Sequence, residues 1–343
     1  MKLVALSREF LSWMPAACCL SVFAFAFQEP ETLTPAALDQ GAAADAAADE
    51  VSDEQAGPEY VRIRRNERNL AAALETSVVR LGNSKQFPEK TVDLVGAIHL
   101  GEPQYYDQLN KLFADYDVLL YEAVMPEAAV ERGLRPGGGG AHRERPSDEQ
   151  DGPSVEEEWN EAKIGMHAIS VLQLGMKDAL GLEFQLAGVN YAASNFVHAD
   201  MTQEEFESAM AARGESFSEM LLREMGKAAI AQQKENPIAS QLDLMFSLLT
   251  SDRIYRVRRI AAVQLAKASE GDAFAGADGM STIITERNKK ALQVLRKELR
   301  GKAKKIGIFY GAGHFADMEK RLVEQFGFER QSEVWLTAWK LRE

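Results

Sequence analysis

The sequence predicts a mixed α/β fold: a central mixed sheet with flanking helices and a large helical insertion. Three observations predict it. A short β-rich run, a helix and a second β-rich run follow one another between Thr91 and Tyr121, the spacing of a parallel βαβ unit. A second strand, turn and helix occupy Lys305 to Phe326, closed by a strand at Glu333 to Trp339. Between them, about Trp159 to Arg300, the pattern reads mostly as helix.

The N-terminal elements are not part of that core. Lys2 and Arg8 precede an apolar run from Phe10 to Phe27, and Ala24-Phe25-Ala26 fits a small-x-small cleavage site, the layout of an export signal. An uncleaved membrane anchor is the alternative, because the run is nearly long enough to span a bilayer. Pro15 and the Ala-x-Ala pattern favour cleavage. The only cysteines, Cys18 and Cys19, lie in this segment. After cleavage the exported chain would hold together by its core alone, without disulfides. Residues 28–59 are rich in Ala, Pro, Gly and acid and have little to bury. They read as a disordered linker, and the folded domain is expected over residues 60–343.

The linker also accounts for most of the charge. The chain of 343 residues carries −13; residues 28–59 hold −9 and residues 1–27 hold +1, which leaves −5 for the domain. That balance excludes an electrostatic nucleic-acid binder. Arg253, Arg256, Arg258 and Arg259 form the only basic patch, read as a solvated helix face.

Within the domain, Thr91 to Val95 is a strand. Pro103 suits a first helical turn, and Tyr105, Leu109, Leu112 and Phe113 share a face of the helix that follows. Asp117 to Tyr121 is the next strand. Glu131 to Glu158, with four consecutive glycines and many charges, reads as a flexible loop; His142 within it reads as solvated. His167 reads as a packing histidine on an amphipathic helix. Thr202 and Glu205 form a capping box, Asn236-Pro237 opens another helix, and Ser281 or Thr282 caps a third that stops at Gly301.

The candidate site lies at strand ends. Gly96-Ala97-Ile98-His99 and Gly311-Ala312-Gly313-His314 repeat one Gly-x-x-His turn after a strand. Ligands of open α/β sheets bind at the carboxyl ends of strands. Gly96 and Gly311 are expected to supply permissive backbone for the turns. His99 and His314 can meet if their strands are neighbours. Glu122 ends the strand Val118 to Tyr121, where a carboxylate is costly unless paired or bound to metal. Two His and one Glu form a ligand set for a hydrolytic divalent metal such as Mn, Co or Zn. Arg287 and Asn288 fall on the apolar stripe of the helix after Ser281. A buried arginine needs an anion, either Glu122 or a substrate carboxylate. Glu286 is less clearly inward. His198 and Asp200 are either turn residues before the capped helix or part of the site lining.

These residues carry a resemblance. VGAIHLG with His99, LLYEAV with Glu122, TERN with Arg287 and YGAGHF with His314 resemble the marks of the TraB/PrgY/GumN/TIKI superfamily, akin in fold to erythromycin esterase and ChaN-like haem-binding proteins. The resemblance spans about Arg62 to Trp339. It implies a site shared by the two Gly-x-x-His turns. It further implies a metal-dependent peptidase acting on peptides or secreted signalling proteins, or a protein that restrains peptide signalling without turnover. No His-Glu-x-x-His motif is present, so a helix-borne zinc protease of the usual kind is excluded. Two functions therefore stand open: an exported metal-dependent hydrolase, with Glu122 as ligand or general base and Arg287 orienting it or stabilising an oxyanion, and a non-catalytic peptide-binding or haem-associated protein.

Overall fold

The computed structural model describes residues 59–136, 180–215, 253–270 and 281–342. The leader, the acidic linker, His142, His167 and the helix expected at Asn236-Pro237 lie outside the described residues. No helix among those described is long and apolar enough to cross a membrane.

The chain enters through β1 (Val61–Arg65) and turns at Asn69, whose φ is 59°, into the long β2 (Ala71–Gly82). β3 (Thr91–Ala97) follows, then the two-residue β4 (Leu100–Gly101) and α1 (Pro103–Ala114). β5 (Val118–Tyr121) and the short α2 (Glu127–Glu131) complete the first half. After the undescribed stretch come β6 (Glu183–Phe184), α3 (Gln185–Gly188), β7 (Phe196–His198) and α4 (Gln203–Arg213). Then come α5 (Arg253–Glu270), a π-helical turn (Thr282–Glu286) and α6 (Arg287–Leu299). The last part is β8 (Lys305–Gly311), a 3-10 turn (Ala312–His314), α7 (Phe315–Phe326) and β9 (Glu329–Lys340).

The sheet is mixed, as the sequence predicts. β3, β8, β5 and β7 lie side by side in that order, all parallel. β2 runs antiparallel to β3, and its other edge is covered along most of its length by β9. β1 pairs with the first half of β2 and β3 with the second. The parallel strands read as continuous apolar runs because both of their faces are covered. All but the first residue of β3 is buried. Asp93 within it is tolerated because Arg80 grips it with two hydrogen bonds of 2.8 and 2.7 Å and the Tyr116 hydroxyl donates a third of 2.9 Å.

Several elements lie where the sequence places them: α1 begins at Pro103, α7 spans Phe315–Phe326, and Thr202 and Glu205 make a reciprocal capping box at the start of α4. One strand is new and one reading is corrected. Within the mostly helical middle, Phe196–His198 joins the main sheet as β7. Three residues are too few to show a period of two. The basic patch is not a uniformly solvated face. Arg258 is 6% exposed. Its guanidinium meets Glu102 Oε1 at 2.6 Å and donates to the carbonyls of Leu180, Gly181 and Lys340. Three separate segments are tied to α5 by this one side chain.

Arg258→Met is therefore expected to destabilise the domain by about 3–5 kcal/mol, because Glu102 is left buried without its cation. Urea unfolding measures this, and adding Glu102→Gln should recover part of the loss.

Candidate functional site

Each of the four parallel strands places one polar residue just beyond its carboxyl end. His99 follows β3, His314 follows β8, Glu122 follows β5 and Asp200 follows β7. β3 and β8 are direct neighbours, with Ala97 opposite Gly311, so the two Gly-x-x-His turns stand side by side. The turns are not identical. After His99 the chain makes the β4–β6 pairing before α1 begins, whereas α7 starts directly after His314.

The expected reason for the glycines is also corrected. Neither Gly96 nor Gly311 has a positive φ. A Cβ on Gly96 would lie 3.2 Å from the Ser77 carbonyl oxygen and 3.3 Å from Thr76 Cβ. On Gly311 it would lie 3.4 Å from Glu122 Oε2. Close packing of strand against strand favours glycine at position 96, whereas at Gly311 a Cβ would make only an ordinary contact.

Arg287 organises the group. Ser281 caps the π-helical turn, its hydroxyl accepting from Ile284 N, and its carbonyl accepts from both Thr285 N and Glu286 N. This turn delivers Arg287 inward at the start of α6, where it is buried. Its Nε and Nη2 donate to Asp200 at 2.9 and 2.5 Å, and Nη2 also donates to Glu122 Oε1 at 2.6 Å. Glu122 Oε2 accepts from the Gly311 backbone N–H at 2.6 Å. Asp200 Oδ1 also accepts from Met201 N at 2.8 Å. Beyond the strands the two carboxylate-bearing segments stay together, since Ala199 N donates to the Tyr121 carbonyl and Met125 bridges Thr202 in parallel.

The histidines flank this cluster. His314 Nδ1 meets Asn288 Oδ1 at 2.7 Å, and its Nε2 lies 3.7 Å from Glu122 Oε1, beyond hydrogen-bond reach. His99 Nδ1 meets Gln185 Oε1 at 3.1 Å, and Gln185 Nε2 donates to the Tyr191 hydroxyl at 2.8 Å. Burial pushes the His314 pKa down to about 4, against the pull of Glu122. Burial lowers that of His99 as well. Burial alone would raise the Glu122 carboxyl; Arg287 foremost, then the two imidazoles and the Gly311 N–H, outweigh it and bring it down to about 2. Burial and Asp200 push the Tyr310 hydroxyl well above its ordinary value, so it remains a donor, to the Ala199 carbonyl at 2.5 Å.

No family model, curated protein or solved structure matches the chain. The site is therefore read from its own chemistry. His99, Glu122, Arg287 and His314 come together as expected, with Asn288 and Gly311 touching them. Asp200 belongs to the centre of the site rather than to a turn. His198 does not: its Nε2 meets the Ala123 carbonyl at 2.7 Å, and its ring packs on Tyr121. Glu286 is outside as well, paired with Lys289 at 2.8 Å on the outer side of the helix. Gln185, Tyr191 and Tyr310 were not legible as site residues. Tyr310 ends an apolar strand, where its hydroxyl is hidden by its ring, and Gln185 sits in a four-residue helix too short for a period.

The donor set fits a cation in part. Each imidazole turns Nδ1 to an amide oxygen, which leaves Nε2 as the coordinating atom, the arrangement of metal-binding histidines held by a second partner. Glu122, expected as a third ligand, has both oxygens engaged by Arg287 and Gly311. Among the described residues, no three His, Cys, Asp or Glu side chains form a metal-holding group.

The site predicts a pH dependence for the metal-free protein. The ordinary His314 value is 6.5 and the folded value is about 4. Between these, the unfolded chain takes up a proton that the folded protein refuses, so stability falls as pH falls. Glu122 drops from 4.5 to about 2. Its contribution is present above 4.5 and is lost as pH falls toward 2. Urea midpoints should decline steadily from pH 7 to pH 3, and His314→Gln should flatten the upper part of the curve. An unchanged slope in that variant would show that His314 is not buried as a neutral ring.

Proposed function

We propose that the chain is an exported, divalent-metal-dependent hydrolase, a peptidase acting on peptides or secreted signalling proteins, of the TraB/PrgY/GumN/TIKI kind. The observation that carries this reading is the convergence of His99, Glu122, Arg287 and His314 at the carboxyl ends of adjacent parallel strands. That is where α/β sheets bind ligands. It is also the set of residues that carries the sequence resemblance. Export rests on the leader pattern of residues 1–27; left uncleaved, the same segment would tether the domain to a membrane.

In this reading His99 and His314 would hold Mn, Co or Zn through Nε2. A bound divalent cation supplies a polarised carbonyl and a more acidic water. The rest is done by the chain. Arg287 fixes Glu122 and spreads its charge between Asp200 and Glu122. Glu122, held near a pKa of 2, gives negative charge to the cation side of the site and is a weak proton acceptor. With both imidazoles taken as ligands, Glu122 is left as the general base, its weakness offset by the more acidic water a cation would supply. The Arg287 guanidinium also stands ready to balance negative charge on a substrate oxygen.

A second reading has its own support. With every oxygen of Glu122 and Asp200 already engaged by Arg287 or a backbone N–H, the cluster is held together without a metal. A peptide or haem ligand could then bind without turnover.

Metal content separates the two. After loading with Mn, Co and Zn, elemental mass spectrometry should find about one metal per wild-type chain and none in folded His99→Ala or His314→Ala. Metal-dependent cleavage of a peptide library should fall at least ~100-fold in Arg287→Met, the scale of losing an oxyanion partner. Full metal in both histidine variants removes the assignment; peptide binding without metal or turnover establishes the second reading.

A further inference from the structure

Asn288 is the residue after Arg287 on the first turn of α6, and it is fully buried. Besides facing His314 Nδ1 with Oδ1, its amide nitrogen donates to the His314 carbonyl at 3.0 Å and to Asp317 Oδ2 at 2.8 Å. These two bonds fix which end of the amide is which. Turned over, the amide oxygen would face a carbonyl oxygen and a carboxylate oxygen at those distances, two repulsive contacts in a buried place. Asp317 gives no relief, because the same Oδ2 also accepts from Arg321 Nε at 2.7 Å.

The oxygen end must therefore face His314, and an amide oxygen only accepts. His314 Nδ1 then carries the ring proton. In a neutral ring, Nε2 is left bare. Glu122 Oε1 lies 3.7 Å from it. A ring released from Asn288 and shifted to close that gap would put its proton on Nε2 and donate it to the carboxylate, since a hydrogen bond to an ionised acceptor is the stronger kind.

We infer that Asn288 is a positioning residue that locks His314 in the Nδ1-protonated tautomer and so keeps a bare Nε2 beside Glu122. His99 has no equivalent lock. The other partner of Gln185 is the Tyr191 hydroxyl, which can donate or accept, so both orientations of that amide are satisfied. The inference is confined to His314. The use of the bare nitrogen, as ligand or base, rests on the hydrolase reading; the tautomer does not.

The test uses the full chain labelled with 15N-histidine. Its five histidines are few enough for His314 to be assigned by loss of its signals in His314→Gln. Long-range proton–nitrogen correlation at about pH 7 distinguishes the tautomers. Wild type should show His314 protonated at Nδ1 with Nε2 bare. Asn288→Ala and the nearly isosteric Asn288→Leu should each move His314 to the Nε2-protonated form and leave the other histidines unchanged. Two results overturn the inference: a wild-type His314 protonated at Nε2, or an Nδ1-protonated ring that persists in either folded variant. If neither variant folds, the wild-type spectrum decides alone. Metal loading of the same wild-type sample keeps the two readings apart. The expected tautomer with no metal uptake leaves this inference standing and removes the hydrolase.

Discussion

A single buried arginine held between two carboxylates sets the terms for the rest of the site. Arg287 cannot be buried alone, so α6 can dock only where Glu122 and Asp200 are presented together. That requires β5 and β7 to be paired in register, with Tyr121 opposite His198, which explains why a strand as short as β7 exists. It also requires the inward delivery of Arg287 by the π-helical turn, an irregularity that recurs at functional sites. A buried ion pair of this kind is weak evidence for stability, because apolar residues of similar volume often serve as well. Its better explanation is specificity of arrangement. One guanidinium, three donated hydrogen bonds and one backbone N–H give all four carboxylate oxygens a partner and a direction.

Charge balance follows from that constraint. Two acceptor-only carboxylates and one guanidinium leave an excess of one negative charge, and two neutral imidazoles stand beside it. Such a charge excess favours a cation or the positive part of a ligand nearby. Burial keeps the imidazoles from supplying that cation by protonation, since their own desolvation opposes it. The fold thus keeps a negative centre beside a neutral His314, 3.7 Å from Glu122, with a neutral His99 close enough to feel the same charge, without letting them cancel. This is the strongest physical support for the metal reading. That both oxygens of Glu122 are already engaged is the strongest support for its rival.

Much of this was legible in the sequence for identifiable reasons. Strand ends are marked where an apolar run breaks into glycine, so His99, His314 and Glu122 could be read as neighbours of one sheet edge. Arg287 and Asn288 fell on an apolar stripe and proved buried, because helical period is a reliable guide to which side chains face inward. β1 and β2 were missed: no period of two marks β2, since β9, β1 and β3 occupy its edges and nearly all of it is buried. Arg258 was misread because a charge on an amphipathic helix looks solvated until its partners, Glu102 and three carbonyls from distant segments, are known. Gly96 was singled out for the wrong cause, because sequence shows that a Cβ is missing but not what stands in its place.

The two histidines, alike in sequence, are unlike in how they are held, and the difference has a chemical consequence. His314 leans on an amide whose orientation is enforced by a carbonyl and a carboxylate, so its proton cannot move to the other nitrogen without breaking two further hydrogen bonds. His99 leans on an amide backed by a hydroxyl, which can reverse its role at little cost. A nitrogen that must stay bare suits a fixed contact, to a cation or to a substrate proton. A nitrogen whose proton can be reassigned suits a step in which a proton arrives and leaves. Both rings can offer Nε2 to a cation, but only His314 is held to one tautomer by what stands behind it. That difference comes from the residues behind the rings, not from the Gly-x-x-His motif they share.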